Sequence, residues 1–505
     1  MIYAFITTNM LMGQALFAKT YGGTSTDWAF SIIQTTDGGY AVTGYTTSFG
    51  VGNEDFFLLK LNPDGSLAWG KTYGGTGHDY TYSSVIQTAD GGFALAGETN
   101  SFGAGNQDIL LLKLNSDGSL AWARTYGGTG YDCPRSILQA PDGGFVLAGT
   151  TASFGAGSED FLVLKLNSNG SVAWARTYGG TGSDNSYSMV RTTDGGYAVA
   201  GGTRSFGAGN SDFLVLKLNT DGSVAWARTF GGTSNDDAYS FIQTTDGGFV
   251  LAGMTASFGT MGDIYVLKIN SNGSIAWAKA IGGASDDWGR SVTQTADGGY
   301  GVTGITQSFG SGNYDLFVCK LNPDGSLAWA RTFGGTDNDY GYSVIQGADG
   351  YYAIAGVTLS FGAGYEDIIV LRLDQNGNYS GCFYDCSPTV TNSTPSTSSP
   401  NLGASCSPQI SSPSPTVGSP TITVTDACPP GVEEGDMIAR PWITCSPVPG
   451  AALFISTYDI GIKIYKSDGR IAYSGELHEG ENRLSLEPGV YLWKTLNQSG
   501  KVAVR

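Results

Sequence analysis

The stretch "LNPDGSLAWGKTYGG", residues 61–75, decides the fold. Close copies start at Leu114, Leu166, Leu218, Ile269 and Leu321. The back half alone, "ALFAKTYGG", occupies residues 15–23, and the front half alone, "LDQNG", residues 373–377. The tryptophans of the motif, Trp69, Trp122, Trp174, Trp226, Trp277 and Trp329, are 51 to 53 residues apart, and Phe17 stands one period earlier. "GGT" or "GGA" and "DGG" or "DGY" each occur once per period, seven times in all. Self-similarity at this period is the mark of a repeat architecture.

One period, residues 82–124, reads as four strands: "YSSVIQT", "FALAGET", "DILLLKL" and "SLAWAR". The joints "ADGG" and "NSDG" are tight turns in which glycine supplies positive φ. The second and third strands are apolar at nearly every position, so both faces of each small sheet must be covered. That condition holds inside a β-propeller, where each blade lies between two others. Nothing shows a 3.6-residue period with caps, which excludes a helical solenoid. An open β-solenoid would leave edges exposed and need capping repeats. Here the ends are complementary halves of one motif. The expectation is an all-β, seven-bladed β-propeller in which the strand at 16–21 pairs with 367–373 and closes the ring.

The recurring Asp or Asn and Gly of "LN.DGS..W" build the outer hairpin, and the Trp covers an inter-blade gap. This pattern resembles the tryptophan-docking motif of quinoprotein-type propellers, on a quinoprotein- or kelch-like scaffold. The resemblance covers the scaffold alone. The repeats are so alike that no blade stands out as an active site, and the expectation is a protein that is not an enzyme and carries no cofactor.

Composition narrows the partners. The 505-residue chain has a net charge of −18 and no Lys/Arg run. Nucleic acid and anionic membrane surfaces, which need clustered positive charge, are poor partners, and no nucleic-acid partner is expected. No apolar stretch after the N-terminus is long enough for a transmembrane helix. Residues 1–15 read as a possible signal peptide cleaved after Ala15, although a basic n-region is missing. Cys382, Cys386, Cys406, Cys428 and Cys445 cluster late in the chain and are disulfide candidates of open connectivity in an oxidising compartment. Zinc is the runner-up, but there is no CxxC pair, and His78 and His478 are the only histidines. Cys319, inside "LFVCKL", is expected to be a small buried hydrophobe.

Three sets of residues are candidates for chemistry. Asp55, Asp108, Asp160, Asp212, Asp263, Asp315 and Asp367 precede the third strands and are expected to accept loop N–H groups. Asp27, Asp79, Asp132, Asp184, Asp236, Asp287 and Asp339 enter the innermost strands. As a ring around the channel they are a weak candidate for a cation or polar ligand, with loop bonding as the favoured role. Last, the loops "GYDCPRS", "SNDDAYS" and "SDDWGRS" vary while the scaffold does not, which is where a binding site would sit. Tyr80, Tyr131, Trp288 and Arg290 are the candidate ligand contacts.

After residue 381 the chain changes character. Residues 382–450 are rich in Ser, Thr and Pro, as in a semi-rigid spacer, and the β-branched "TITVTD" can add to a sheet edge. Residues 451–505 read as a small β-sandwich. Within it "IKIYKSDGRIAYSGEL", "GVYLWK" and the final "GKVAVR" resemble the C-terminal sorting domain of type IX secretion substrates, without the usual "PNP"-like opening. The resemblance implies export by the type IX machinery and an extracellular or outer-surface location. The sequence thus predicts a binding protein for adhesion to a glycan or protein, with a self-assembling filament or surface-layer subunit as the alternative.

Overall fold

The computed structural model describes residues 16–379 and, between 383 and 504, the strand segments named below with a few flanking residues. The possible signal peptide, Cys382, Cys406 and Cys428 lie outside the described residues, as does the Cys445 side chain.

Seven antiparallel sheets make up the repeat region. Blade 1 contains Asp27–Gln34, Tyr40–Thr46, Asp55–Leu61 and Leu67–Gly74, from the innermost strand outward. Blades 2 to 6 repeat this plan, their innermost strands beginning at Asp79, Asp132, Asp184, Asp236 and Asp287. Blade 7 takes three strands from residues 339–373 and its fourth, Phe17–Gly22, from the start of the repeats. Phe17 pairs with Arg372 and Tyr21 with Ile368, which is the closure expected from the two half-motifs. Second and third strands such as Phe145–Thr151 and Asp160–Leu166 are buried at every residue, so the cores lie between blades.

The outer hairpin ties each blade to the one before it. Gly118 turns at φ 78°, and Trp69 of the preceding blade packs on its Cα face. Trp122 and Trp329 stand in the same way under Gly170 and Gly377, and Phe17 fills the position beneath Gly65. The tyrosine four residues beyond the tryptophan adds a hydrogen bond: Tyr73 donates to Gly118 O at 2.6 Å and Tyr126 to Gly170 O at 2.7 Å. The tryptophans are only half-buried, with one face on the neighbouring turn.

Both aspartate sets are held inside the scaffold. Asp132 accepts Gly128 N–H at 2.8 Å and the Ser153 hydroxyl at 2.6 Å, with Thr151 on its other oxygen. Its six counterparts at the starts of the innermost strands are equally buried, at most 1% exposed. Asp108 accepts Ala104 N–H and Gly105 N–H, each at 2.9 Å. The first glycine of each "GG" sits between two such carboxylates; Gly127 lies against Asp108 and Asp132. At the opposite ends of the strands, Lys113 reaches back to Asp90 at 2.9 Å, and five other blades repeat the pair. In blade 7 the cation is Arg372, which bonds Asp349 and lies 4.5 Å from the Tyr351 ring. "DGY" therefore replaces "DGG" where arginine replaces lysine.

These carboxylates fall into two titrating classes. Burial pushes Asp315 up to about 7, and Asp263 and Asp367 up to about 6. A carboxyl whose folded pKa is raised contributes most below its unfolded value near 4 and loses that contribution as pH rises to the folded value. Asp90 is the reverse: hydrogen bonds from Thr88 and then Lys113 lower it to about 2, so its contribution is present above pH 4 and lost towards pH 2. The melting temperature is accordingly expected to rise from pH 8 to pH 5 and to fall below pH 3. Calorimetry across that range checks both limbs.

Residues 383–426 depart from the spacer expectation. Seven short strands in this segment each pair antiparallel with the outermost strand of a blade. Phe383–Asp385 joins blade 6, Thr389–Asn392 blade 5, Ser396–Ser398 blade 4 and Ala404–Ser405 blade 3. Gln409–Ser411 then joins blade 2, Thr416–Gly418 blade 1 and Thr423–Asp426 blade 7. The chain runs back around the whole ring as a belt and gives every four-stranded blade a fifth strand. The physical cause is edge pairing: an outermost strand offers unpaired N–H and C=O groups, and a nearby extended segment satisfies them. "TITVTD" does add to a sheet edge, that of its own propeller.

Residues 429–505 belong to a separate compact unit. A three-stranded sheet holds Thr444–Val448, Ala451–Ser456 and Gly480–Ser485. A four-stranded sheet holds Ile460–Lys466, Ile471–Leu477, Gly489–Lys494 and Ser499–Val504. The first strand starts ahead of the boundary read from sequence at 451.

Candidate binding site in the axial channel

Six of the seven innermost strands carry a β-bulge. In six blades the register slips around the third residue after the initial aspartate, for example between Ala238 and Ser240. A bulged residue leaves the ladder and its side chain is re-aimed. The bulge residues are Phe30, Arg135, Tyr187, Tyr239, Arg290 and Tyr342. Blade 2 has one residue more here, which splits its innermost strand into Asp79–Tyr80 and Val85–Gln87 and leaves Tyr82 at the corresponding place. All seven side chains wall one cavity of about 550 Å³ on the propeller axis.

The serine after each bulge fixes neighbouring strands in register. Ser31 accepts Val85 N–H at 3.3 Å, Ser84 accepts Ile137 N–H at 3.3 Å, and Ser188 accepts Phe241 N–H at 3.2 Å. Ser240 serves Val292, Ser291 serves Val344, and Ser343 returns to Ile32. Between blades 3 and 4, Ser136 donates to Met189 O. The extra residue of blade 2 precedes Ser84, so the relay continues unbroken around the ring.

Above this constant ring the wall is asymmetric. One arc is aromatic: Phe30 lies 4.6 Å from Tyr82 and 4.9 Å from Tyr342, and Trp28 stacks on Tyr45 at 5.8 Å. A second cavity of about 330 Å³, lined by Tyr45, Glu54, His78, Tyr80, Tyr82 and Asn100 among others, shares Tyr82 with the first. Another arc holds a buried ion pair. Glu98 is 2% exposed, 3.7 Å from Arg135, and accepts the Tyr131 hydroxyl at 3.0 Å. Burial raises the Glu98 carboxyl, and it pushes the neighbouring Cys133 thiol up to about 11, so this thiol is not an activated nucleophile at neutral pH. Arg135 stacks 4.9 Å from the Tyr82 ring.

The sequence candidates separate accordingly. Arg290 is on the cavity wall, with Trp288 5.3 Å away in the same strand. Tyr80 borders the second cavity and takes a 2.6 Å hydrogen bond from Gln107, while Tyr131 orients Glu98. Tyr80, Trp288 and Arg290 belong to strands, not to loops. The ring of seven aspartates faces loop donors, and among the described residues no three Asp, Glu, His or Cys side chains converge to hold a metal. Phe30, Tyr82, Arg135, Tyr187, Tyr239 and Tyr342 were not singled out from sequence. Their signal is one column, the residue before the serine that follows each initial aspartate.

Comparison with known proteins supports the scaffold. Residues 35–67, 89–120, 140–172 and 193–224 match the DUF5122 β-propeller, a domain of unknown function. Regulatory protein FlaEY of Caulobacter vibrioides is 29% identical over 208 residues, 38% of this chain and 20% of that protein, so the chain spans about a fifth of that relative's length. Among solved structures, PorZ, a bacterial surface component of the type-IX secretion system of Porphyromonas gingivalis, aligns with a TM-score of 0.37 at 12% identity, over 92% of this chain and 58% of its own. Puromycin hydrolase aligns with a TM-score of 0.33 at 12% identity, over 81% and 58%. The chain is an all-β, seven-bladed propeller. No helix among the described residues is long and apolar enough to cross a membrane.

Proposed function

We propose that this is an exported binding protein that takes its ligand into the axial channel. One observation carries the reading: the blades are near-copies, and the positions at which they differ include the ring of side chains that walls the axial cavity. At the third residue after the initial aspartate, blades 1 to 7 carry Phe, Tyr, Arg, Tyr, Tyr, Arg and Tyr. A scaffold held constant by packing and varied on one concave surface is the pattern of a recognition site. Aromatic rings with a few polar groups suit a glycan or a protein side-chain cluster.

Export rests on the resemblance of residues 451–505 to a sorting domain. Deleting them is expected to leave the protein in the periplasm, and unchanged surface delivery would refute the sorting role. The filament alternative has less support, because the segment that would reach a neighbouring subunit pairs with its own propeller. A glycan and extracellular-protein array probed with the wild type and with Tyr187→Ala/Tyr239→Ala tests the binding reading. Hits lost in the double variant, with melting unchanged, are expected. Hits retained would move the site away from the axis.

A further inference from the structure

The two arginines on the channel wall are not equivalent. Arg135 has a buried carboxylate, Glu98, at 3.7 Å and a tyrosine hydroxyl beside it. Arg290 has no acidic side chain within 4.0 Å among the described residues. Its guanidinium lies instead against aromatic rings, 4.6 Å from Tyr239, 5.3 Å from Trp288 and 5.8 Å from Tyr342. Arg290 Nε is buried without a hydrogen-bond partner, and so is Trp288 Nε1 in the same strand. Buried polar donors are almost always satisfied. In a chain of net charge −18 a carboxylate partner for this arginine would be easy to supply. The fork of a guanidinium fixed on an aromatic face suits a planar carboxylate, which it can bind through two parallel hydrogen bonds.

We propose that Arg290 is the anion-recognition residue of the axial channel and that the ligand is an acidic saccharide whose carboxylate it binds. The volume of about 550 Å³ falls within the range of small-molecule sites, about 300–1,000 Å³. Arg135 takes no part in the charge recognition, because Glu98 already neutralises it. This assignment rests on the channel being the binding site.

The test uses the full chain and calorimetric titration with tri-galacturonate, a hyaluronan tetrasaccharide and the methyl ester of each. The acids are expected to bind and their esters to bind at least about tenfold more weakly. Added salt should weaken the acids alone. Arg290→Gln should lower affinity for the acids about tenfold or more and leave the esters unchanged, and Arg290→Lys should recover only part of the loss. Thermal melting of each variant separates lost binding from lost folding. If acid and ester bind equally and Arg290→Gln changes nothing, the anion assignment is wrong while the channel survives as a site. If no saccharide binds, or binding persists in Tyr187→Ala/Tyr239→Ala, the anion assignment falls together with the channel reading.

Discussion

Deleting residues 383–428 is expected to turn a monomeric propeller into an associating one, with a smaller effect on its melting. The magnitudes decide between the two. Each belt strand is two to four residues long. A backbone hydrogen bond contributes about 0.5–1.5 kcal/mol net, while ordering a residue costs about 1–2 kcal/mol. The belt therefore adds little to the stability of the ring, and a fall in melting temperature of no more than about 5 °C is expected. Its larger effect is on what the edges can meet. Without it seven outermost strands present open N–H and C=O groups, and an open edge is a template for another chain. Light scattering should show the intact protein as a monomer and the deletion as dimers and larger species at the same concentration. A deletion variant that stays monomeric at high concentration would contradict the edge-guarding role.

The second large effect concerns one methyl group. Gly127 is packed between the carboxylates of Asp108 and Asp132, and a Cβ there would collide with both. Asp132 is fully buried and bonded to Gly128, Thr151 and Ser153, so it cannot swing away without leaving those groups unsatisfied. Gly127→Ala is expected to cost at least about 3 kcal/mol, from overpacking and the disturbed carboxylates together. Gly91→Ala is the control. Gly91 turns at φ 81°, and a Cβ there would meet nothing within 4 Å, so only the left-handed backbone resists the methyl, at about 1 kcal/mol. Denaturant titration of the two variants compares them. Equal losses would show that the "GG" pair answers to backbone conformation and not to the buried carboxylates.

The propeller was legible in the sequence because its determinants are strong and repeated. The tryptophan period gives the blade count, and the half-motifs at 15–23 and 373–377 give the closure. The paired second and third strands announce burial on both faces. The belt was not legible for a different reason. Strands of two to four residues are too short to show alternation, and Ser, Thr and Pro are the residues of a spacer. One trace does survive. Pro388, Pro395, Pro408 and Pro415 directly precede belt strands that begin at Thr389, Ser396, Gln409 and Thr416. Proline is tolerated just ahead of an edge strand, and four of the seven belt strands have one in that place in the sequence.

The site was half legible. "SDDWGRS" pointed to Trp288 and Arg290, but as a loop, whereas the bulge makes them strand residues with Arg290 on the channel wall. Tyr187, Tyr239 and Tyr342 look in sequence like ordinary strand aromatics. Only the bulge between the initial aspartate and the serine distinguishes a wall residue from a core residue, and a register slip of one leaves no mark in a single sequence. The aspartates were conspicuous for the opposite reason. They recur because each repeat needs the same loop bonds, not because they share a ligand.

The most direct test of the channel as the recognition site is a crystal structure of the full chain with the strongest saccharide from the array. The ligand is expected among Tyr82, Tyr239 and Tyr342, with its carboxylate on Arg290. A ligand seated on the belt, on the outer hairpins or on residues 429–505, with the channel empty, would contradict it.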